Sequence, residues 1–479
     1  MLAPVATSSA VHTPPARTWL RRPETWVLLV AAAYALFQLL LLDTTRFFSW
    51  DEAIYTSQVS PFADALSMGA HRARGVTLIV APVALATDSM FALRTYLALV
   101  SGAGLFGAFV VWCRSVRWAA PIAAGLFATS WVAVFYGSAV YPNLYSALIA
   151  VAAVGITLRV GRSEKRSTLI LLGGVMAVGM LVRPTEAVIV GVCVVGVALL
   201  EARPRIIAVC LATLGGLMVG ALPWLVEAWA RFDGPLQRLH AASAAVGGGL
   251  RNNVIDYLHA LDGSAGPINR WALVDLGLLV LLGMAGLSHG ERSLRRVAGV
   301  VMVSAALLAS PYLFATEPIA NRFMLPGYAM LCIGSALGMT AIAARFDWKG
   351  LTTVVLVGAV LLVGAWNYPA LDAWDERQVG NADTALTLGA AVRSQAGSGD
   401  CFFLSPFNYP AISFASGCRG APLADNANVN QARIESAGES GSILALTPEP
   451  DVLGILGEGW RCDPIPALVA KGWQICSRS

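Results

Sequence analysis

The stretch FSWDEAIYTSQVSPFADALSMGAHRARG, residues Phe48–Gly75, decides how this chain is organised. It directly follows the first long apolar segment and carries two adjacent carboxylates, Asp51 and Glu52. Charged groups beside a bilayer are costly unless they lie at the interface or in a wet cavity, so this pair indicates a functional site. The alternative is a solvated loop in which Ser49 or Asp51 caps a helix and Glu52 lies in its first turn.

The surrounding loop predicts helices that lie along the membrane rather than across it. Residues Ala53–Met68 are roughly amphipathic, and Pro61 divides them into two short interfacial helices. The apolar piece from Gly75 to Thr87 is too short to span a bilayer and contains Pro82, so it predicts a re-entrant or interfacial helix.

Composition predicts a polytopic α-helical membrane protein. Of the 479 residues, 57% are hydrophobic and only 13% are charged, which is far from a soluble composition. The net charge of +4 is spread between apolar runs, so the lipid bilayer is an expected partner and nucleic acid is not. About eleven runs are long enough to span, and we place them at 24–43, 90–113, 118–137, 143–160, 167–182, 185–200, 206–229, 271–288, 297–315, 324–343 and 351–368.

The basic residues between these runs predict the orientation. They follow every second span, which places them on the cytoplasmic side of the plasma membrane with a cytoplasmic arm at residues 1–23. No small-residue cleavage site follows Trp26–Leu42, so this run is predicted to remain as an anchor. The Asp51 loop, the Tyr141–Asn143 turn, Arg183 and Arg322 then share the outer face. This convergence predicts a single active site within a membrane module at 24–368, with juxtamembrane helices in the 44–89 loop.

The composition changes after Tyr368, where polar residues and glycine become common. Residues 369–479 predict a small extracytoplasmic α/β domain, with a helix at Thr384–Gln395, strands at Cys401–Leu404 and Ile443–Leu446, and a short helix at Pro450–Leu456. Four cysteines in this domain predict two disulfides. Three pairings exist, and we favour the local one over the others and over a zinc site, for which no CxxC or paired histidine is present. The favoured pairs are Cys401–Cys418 and Cys462–Cys476.

The arginines predict the chemistry of the site. Arg183, in LVRPTE, and Arg322, in NRFMLP, are either anion clamps or snorkelling side chains, and Glu186 is a local partner for the first. His71, Arg72 and Arg74 are either part of the site or basic residues attracted to lipid headgroups, and for Arg74 we favour the second interpretation. Two or three cations and one carboxylate around a cavity suit transfer of a sugar from a lipid phosphate. The cations stabilise the leaving phosphate, and the carboxylate is the base in an inverting attack.

In layout and in these motifs, the chain resembles the GT-C class of membrane glycosyltransferases, in particular protein O-mannosyltransferases and bacterial aminoarabinose transferases. The resemblance rests on Asp51–Glu52 followed by Ala53 and Tyr55 after the first span, on Leu181-Val-Arg-Pro184, and on Arg322-Phe-Met-Leu-Pro326. It implies a bundle of about eleven to thirteen helices, a polyprenyl-phosphate sugar donor and Asp51 as catalytic base. We assign Asp51 and Glu52 as catalytic residues. Those assigned to substrate binding are Tyr55, His71, Arg72, Arg183 and Arg322.

Two departures leave the cofactor open. The stretch before the second span has no Pro-Pro, and Tyr141-Pro-Asn143 stands where some members have a second acidic group. A divalent metal is therefore not supported by a second acidic motif, and only Glu52, Glu186 and Glu317 could replace it.

The acceptor remains open between a glycan, a lipid and a protein. One alternative function is a transporter or flippase for a lipid-linked glycan intermediate, but transporters usually contain internal repeats and this sequence shows none. Another alternative is a non-catalytic envelope scaffold. The outer loop Arg231–Arg270, with its Gly247–Gly249 triplet and a helix through His259, is predicted to close over the donor.

Overall fold

The computed structural model describes residues 21–161, 165–254, 268–315, 319–345, 351–436, 442–448, 453–456 and 459–478. Residues 1–20 of the predicted arm, Glu317 and the helix predicted through His259 lie outside these residues. The first half of the chain contains helices α1 (Pro23–Leu41), α2 (Trp50–Ser57), α3 (Gly75–Ala84), α4 (Met90–Val110), α5 (Cys113–Val116), α6 (Ala119–Ala128), α7 (Trp131–Gly137), α8 (Pro142–Val160), α9 (Arg166–Val182), α10 (Pro184–Glu201), α11 (Ile206–Arg231) and α12 (Pro235–Ala245).

The second half continues with long helices and ends in a sheet. Its helices are α13 (Ile268–Gly286), α14 (Arg292–Phe314), α15 (Leu325–Ala343), α16 (Leu351–Ala396), α17 (Tyr409–Ser416), α18 (Ala427–Ser436) and α19 (Leu453–Leu456). In both halves, the described residues also form 3₁₀ helices, at Arg203–Arg205, Asn321–Met324 and Pro466–Lys471. Its strands are β1 (Cys401–Ser405), β2 (Arg419–Pro422), β3 (Ser442–Thr447), β4 (Trp460–Pro464) and β5 (Gln474–Arg478).

The helices confirm a polytopic membrane protein. Within the described residues, eight helices are long and apolar enough to cross a bilayer, or nine if α6 and α7, bent by 73°, form one broken span. The two other predicted spans coincide with α9, which has only 17 residues, and with α13. Every predicted span therefore coincides with a helix, and the count of eleven stays a prediction.

Small residues let the membrane helices approach closely. A Cβ atom on Gly216 of α11 would collide with the carbonyl oxygen of Gly173 on α9, and one on Gly220 would collide with that of Ala177. Lipid gives little hydrophobic drive for helix association, so close backbone packing of this kind stabilises membrane bundles. Helices α9 and α11 therefore pack with their backbones in close contact.

The loop between α1 and α4 differs from its predicted form. α2 ends at Ser57, and residues 61–68 form a turn and extended chain instead of a second amphipathic helix. The physical reason lies in side-chain to backbone bonds: Gln58 Nε2 donates to the Leu66 carbonyl at 2.7 Å, and the Leu66 N–H donates to Ser57 Oγ at 3.1 Å. Such bonds compete with helix formation and fold the chain after Pro61 back on α2. The helix predicted after Gly75 is present as α3.

The tail forms a small α/β unit around a five-stranded sheet of order β2-β1-β3-β5-β4. β1 pairs in parallel with β2 and β3, whereas β5 pairs antiparallel with β3 and β4. Both favoured disulfides are confirmed, and Cys462 and Cys476 are direct cross-strand partners. The predicted strands are present as β1 and β3, the helix predicted at Thr384–Gln395 is part of α16, and the described part of Pro450–Leu456 forms α19. The predicted domain boundary at 368/369 falls inside α16 and stays a prediction.

The tail contacts the loop that carries the two carboxylates. Phe414 of α17 packs edge-on against Phe48 at 4.7 Å between ring centroids, and Tyr409 packs likewise against Trp50 at 4.7 Å. α2 is thereby held between the membrane bundle and the tail.

Candidate active site

A capping box fixes the start of α2. Ser49 is the N-cap, and its backbone N–H donates to Glu52 Oε2 at 3.0 Å. The hydroxyl of Ser49 also lies 2.7 Å from the hydroxyl of Tyr141, at the start of α8. Adjacent helical residues point about 100° apart, so Asp51 and Glu52 enter different surroundings.

Glu52 points into the bundle. Its side chain is 1% exposed, and the guanidinium of Arg94 donates to both of its oxygens, with Nη2 to Oε2 at 3.1 Å. The backbone N–H of Val140 donates to Oε1 at 2.9 Å. Burial alone would raise the pKa of Glu52, but the Arg94 charge outweighs it and lowers the pKa to about 2. These occupied oxygens favour an anchoring role, and the predicted catalytic role of Glu52 stays untested.

Asp51 faces a group of cations instead. Its Oδ1 accepts from Arg72 Nη2 at 2.6 Å and its Oδ2 from Arg322 Nη2 at 3.3 Å, while its side chain stays 21% exposed. Burial raises the pKa of Asp51, yet the charges of Arg322 and Arg72 outweigh it and hold the pKa below its ordinary value. Asp51 is therefore a solvent-reachable carboxylate that is ionised at neutral pH.

The loop before α3 supplies two more predicted residues. The pKa of Arg72 is raised because Asp51 outweighs the opposing effect of burial. Burial and then the charge of Arg72 lower the pKa of His71 to about 4, so this imidazole is neutral at pH 7. Burial and the charge of Asp51 raise the pKa of Tyr55, on α2, to about 12. The phenol of Tyr55 therefore stays protonated and can donate a hydrogen bond beside Asp51.

Arg183 and Arg322 meet across one aromatic ring. Their guanidinium carbons lie 5.2 Å and 5.0 Å from the ring centroid of Phe323, within the range of cation–π attraction. Arg322 also lies 4.9 Å from the Tyr141 ring centroid. Arg183 donates from Nε to Glu186 Oε1 at 2.8 Å, which is the local pairing that the sequence allowed. Its nitrogens Nη1 and Nη2 are not used in that contact.

The structure thus brings the predicted site residues into one region, at the N-terminal end of α8 and the C-terminal ends of α9 and α14. Tyr55 interacts electrostatically with Asp51, Arg72, Arg183 and Arg322 together. Two residues were missed. Arg94 could have been found as a charged residue within the apolar run of α4. Tyr141 lies in the turn Tyr141–Asn143, but no signal in the sequence marked its ring as a support for Arg322.

The described residues do not fit a divalent metal. They contain no group of three histidine, cysteine, aspartate or glutamate side chains close enough to share an ion. Both Asp51 oxygens face arginines, Glu52 is held by Arg94, and Glu186 is paired with Arg183 and Tyr312. Glu317 lies outside the described residues.

Comparisons with known proteins concern the family and the fold. Residues 19–226 match the model of the Alg9-like mannosyltransferase family, a span that includes the Asp51 loop and Arg183. A comparison with curated proteins found no significant match. Among solved structures, ArnT from Cupriavidus metallidurans bound to undecaprenyl phosphate is similar, with a TM-score of 0.65 and 11% identity over 95% of this chain and 98% of that one.

Two further solved structures share the fold. The arabinofuranosyltransferase AftD from Mycobacteria has a TM-score of 0.55 at 14% identity, over 95% of this chain but only 40% of its own length. The oligosaccharyltransferase of Archaeoglobus fulgidus has a TM-score of 0.51 at 14% identity, over 88% of this chain and 67% of that one. The family match and these folds confirm the resemblance seen in the sequence: this chain is a multi-pass membrane protein with the fold of the GT-C glycosyltransferases.

Proposed function

We propose that this protein is an inverting glycosyltransferase that moves a sugar from a polyprenyl phosphate to a cell-envelope hydroxyl on the outer face of the membrane. The observation that carries the proposal is Asp51, a partly exposed carboxylate held by Arg72 and Arg322 at the membrane boundary. The acceptor is a glycan, a lipid or a protein, and its hydroxyl is all that the proposal requires.

A cavity supports a lipid-linked donor. It has a volume of about 760 Å³ and lies between α10 and α14, lined mainly by aliphatic residues such as Val192, Val197 and Val303. α10 starts directly after Arg183, and α14 ends close to that arginine through Tyr312. The lining begins at Val192, about 14 Å along α10 from Arg183, and ends at Arg203 and Arg296. The distal part of a long prenyl chain could therefore lie in this cavity while its phosphate reaches the arginine cluster. ArnT, whose fold is similar, was solved bound to undecaprenyl phosphate.

The ends of the same helices support the outer-face orientation. α10 begins at the Asp51 cluster and is followed by Arg203 and Arg205, while α14 begins with Arg292 and ends at the cluster. A helix of 18 residues is about 27 Å long, so these basic residues lie on the opposite face from Asp51. Basic loops favour the cytoplasm, so we propose that the N-terminus lies inside and that the tail domain, residues 369–479, lies outside.

The proposed reaction needs one base and several cations. Asp51 accepts the proton of the acceptor hydroxyl while that oxygen attacks the anomeric carbon from the side opposite the phosphate. The bond between the anomeric carbon and the phosphate oxygen breaks, and its electron pair leaves with the polyprenyl phosphate. Arg72, Arg183 and Arg322 offset the charge that develops on this leaving group, so no general acid is required. The anomeric configuration is inverted.

The test is transfer by the purified Asp51→Asn protein, supplied with a panel of radiolabelled polyprenyl-phosphate sugars. Loss of a positioned base lowers turnover by roughly 10²- to 10⁴-fold. The fold should persist, because the Asp51 side chain is partly exposed and is not packed inside a span. Asp64→Asn is the matched control, since Asp64 is an exposed carboxylate of the same loop.

Normal transfer by well-folded Asp51→Asn protein would remove Asp51 as the base, and a loss of only a few-fold would assign it a positioning role. A wild-type protein that moves lipid-linked sugar across vesicle membranes but transfers none would point to a flippase.

A further inference from the structure

A second charged cluster lies behind the proposed active site. Glu227, near the end of α11, accepts from Arg74 at 2.6 Å, from Arg231 at 2.6 Å and from Arg238 at 3.0 Å. Arg74 and Arg231 are about one-third exposed, whereas the side chain of Arg238 is 1% exposed. Arg238 is on α12, the helix of the long outer loop.

Arg238 uses its buried guanidinium mainly to hold backbone. Its Nε donates to the carbonyl of Ala70 at 3.2 Å and its Nη2 to the carbonyl of Arg72 at 3.0 Å. Its Nη1 donates to the Trp224 carbonyl at 2.8 Å, and its guanidinium lies 4.6 Å from the centroid of the Trp224 ring. A buried cation is stable only when its donors are satisfied, so these bonds fix α12, α11 and the chain at 70–72 in one arrangement.

The carbonyls of Ala70 and Arg72 flank His71, and the second belongs to the residue whose guanidinium binds Asp51. We propose that Arg238 is a positioning residue: by holding the backbone at Ala70 and Arg72, it sets the Arg72 guanidinium against Asp51 and makes the site depend on the docking of α12. This inference rests on the proposed function in that Asp51 is taken as the base. Among the described residues, no hydrogen bond or ion pair joins Arg238 or Glu227 to Asp51, so they act through Arg72.

Removal of Arg238 should change how Asp51 titrates. The groups that act on Asp51 are Arg72 and His71 from the loop, Arg322 from the 3₁₀ helix before α15, and the phenols of Tyr55, Tyr136 and Tyr141. If Arg72 becomes mobile, Asp51 loses part of the positive charge that favours its ionised form. The pKa of Asp51 then rises, and the acid limb of kcat/KM moves to higher pH.

The experiment combines a structural and a catalytic measurement on the full-length protein. In Arg238→Gln, hydrogen–deuterium exchange at residues 69–74 should become faster, the acid limb of kcat/KM should move to higher pH, and kcat/KM at pH 7 should fall about tenfold to a hundredfold. Arg238→Lys should show a smaller change in the same direction, because Lys keeps the charge beside Glu227 but its three donors share one nitrogen and cannot reach the separate carbonyls that the guanidinium binds.

Two further variants separate positioning from charge. Arg231→Gln also removes one of the three arginines at Glu227, but its effect on exchange at 69–74 should be smaller because its contact with this loop is a 3.3 Å bond to the Met68 carbonyl. Arg461→Gln, on exposed edge strand β4, removes one positive charge in the tail and should behave as wild type.

Unchanged exchange at residues 69–74 in folded Arg238→Gln or Arg238→Lys protein would show that Arg238 does not hold this loop. Faster exchange with an unmoved acid limb would show that the loop does not set Arg72 against Asp51, and equal limb shifts in Arg238→Gln and Arg231→Gln would reduce the cluster to a charge effect. Each of these results overturns the inference. Absence of transfer by the wild type is a failure of the proposed function, and the exchange measurement still decides whether Arg238 anchors the loop.

Discussion

Glu52→Gln should destabilise the protein strongly, although the side chains differ by one atom. The variant leaves Arg94, which is 1% exposed, without its counter-charge in the bundle. Breaking a buried ion pair by removing one partner costs about 3–5 kcal/mol. The pKa gives a similar size: a fall from 4.5 to about 2 on folding corresponds to roughly 3 kcal/mol in favour of the ionised form.

The pH dependence of this stabilisation has a definite sign. Because the pKa of Glu52 is lower in the folded than in the unfolded protein, its contribution is complete above about pH 4.5. It is lost as the pH falls from there through about 2. Wild type should therefore lose its advantage over Glu52→Gln under acid conditions.

The assay is thermal unfolding in detergent, followed by intrinsic tryptophan fluorescence. Glu52→Gln should show a clear fall in Tm. Asp51→Asn and Asp64→Asn should change Tm little, because exposed or partly exposed pairs contribute about 1 kcal/mol or less. The double variant Glu52→Gln/Arg94→Gln should recover part of the loss, since no unpaired charge remains. A Tm for Glu52→Gln equal to that of wild type would refute the anchoring role.

Three other expectations can be measured on the same protein. Arg322→Ala and Arg183→Ala should raise the donor KM and lower kcat, because leaving-phosphate charge is then uncompensated, while Arg183→Lys should keep part of the activity; unchanged donor KM and kcat in both alanine variants would make these arginines structural. On intact cells, a membrane-impermeant thiol reagent should label the tail cysteines only after reduction, whereas labelling only after lysis without reductant would contradict both the outer location and the disulfides. Replacement of Gly247–Gly249 by alanines should slow transfer or increase donor hydrolysis, since Gly247 and Gly249 have φ values of +64° and +156° that alanine rarely adopts; unaltered transfer and hydrolysis would leave the loop as a tether.

Much of the fold follows from local sequence because a bilayer imposes strong rules. In lipid, a segment must form its backbone hydrogen bonds internally, as a helix does, so the apolar runs predicted the positions of the helices. The four clustered cysteines of the tail likewise predicted both disulfides. The prediction of a helix after Pro61 was wrong because Gln58 and Ser57 form hydrogen bonds with the backbone of Leu66. An amphipathic sequence pattern does not reveal such bonds.

The site was predicted less completely, since its contacts join residues far apart in sequence. Asp51 reaches Arg322 across 271 positions, a contact that topology could suggest only as a shared membrane face. Arg238 binds carbonyls at positions 70 and 72, and a backbone acceptor has no sequence signature. Arg94 was visible as a charge within an apolar helix, but its partner became clear only when α2 was placed against α4.

The two adjacent carboxylates illustrate how one short motif can support both the fold and the chemistry. Glu52 has its oxygens filled by Arg94, Val140 and the cap, so moving it would require breaking a buried network. This rigidity fixes the backbone of α2 and therefore the direction in which Asp51 projects. In the proposed reaction Asp51 must instead stay solvent-reachable, because an acceptor hydroxyl has to approach it, and its side chain is 21% exposed. One carboxylate could not be both buried in a fixed network and open to an acceptor. Because Asp51 and Glu52 are adjacent on a helix, their side chains point about 100° apart and can take these two roles separately.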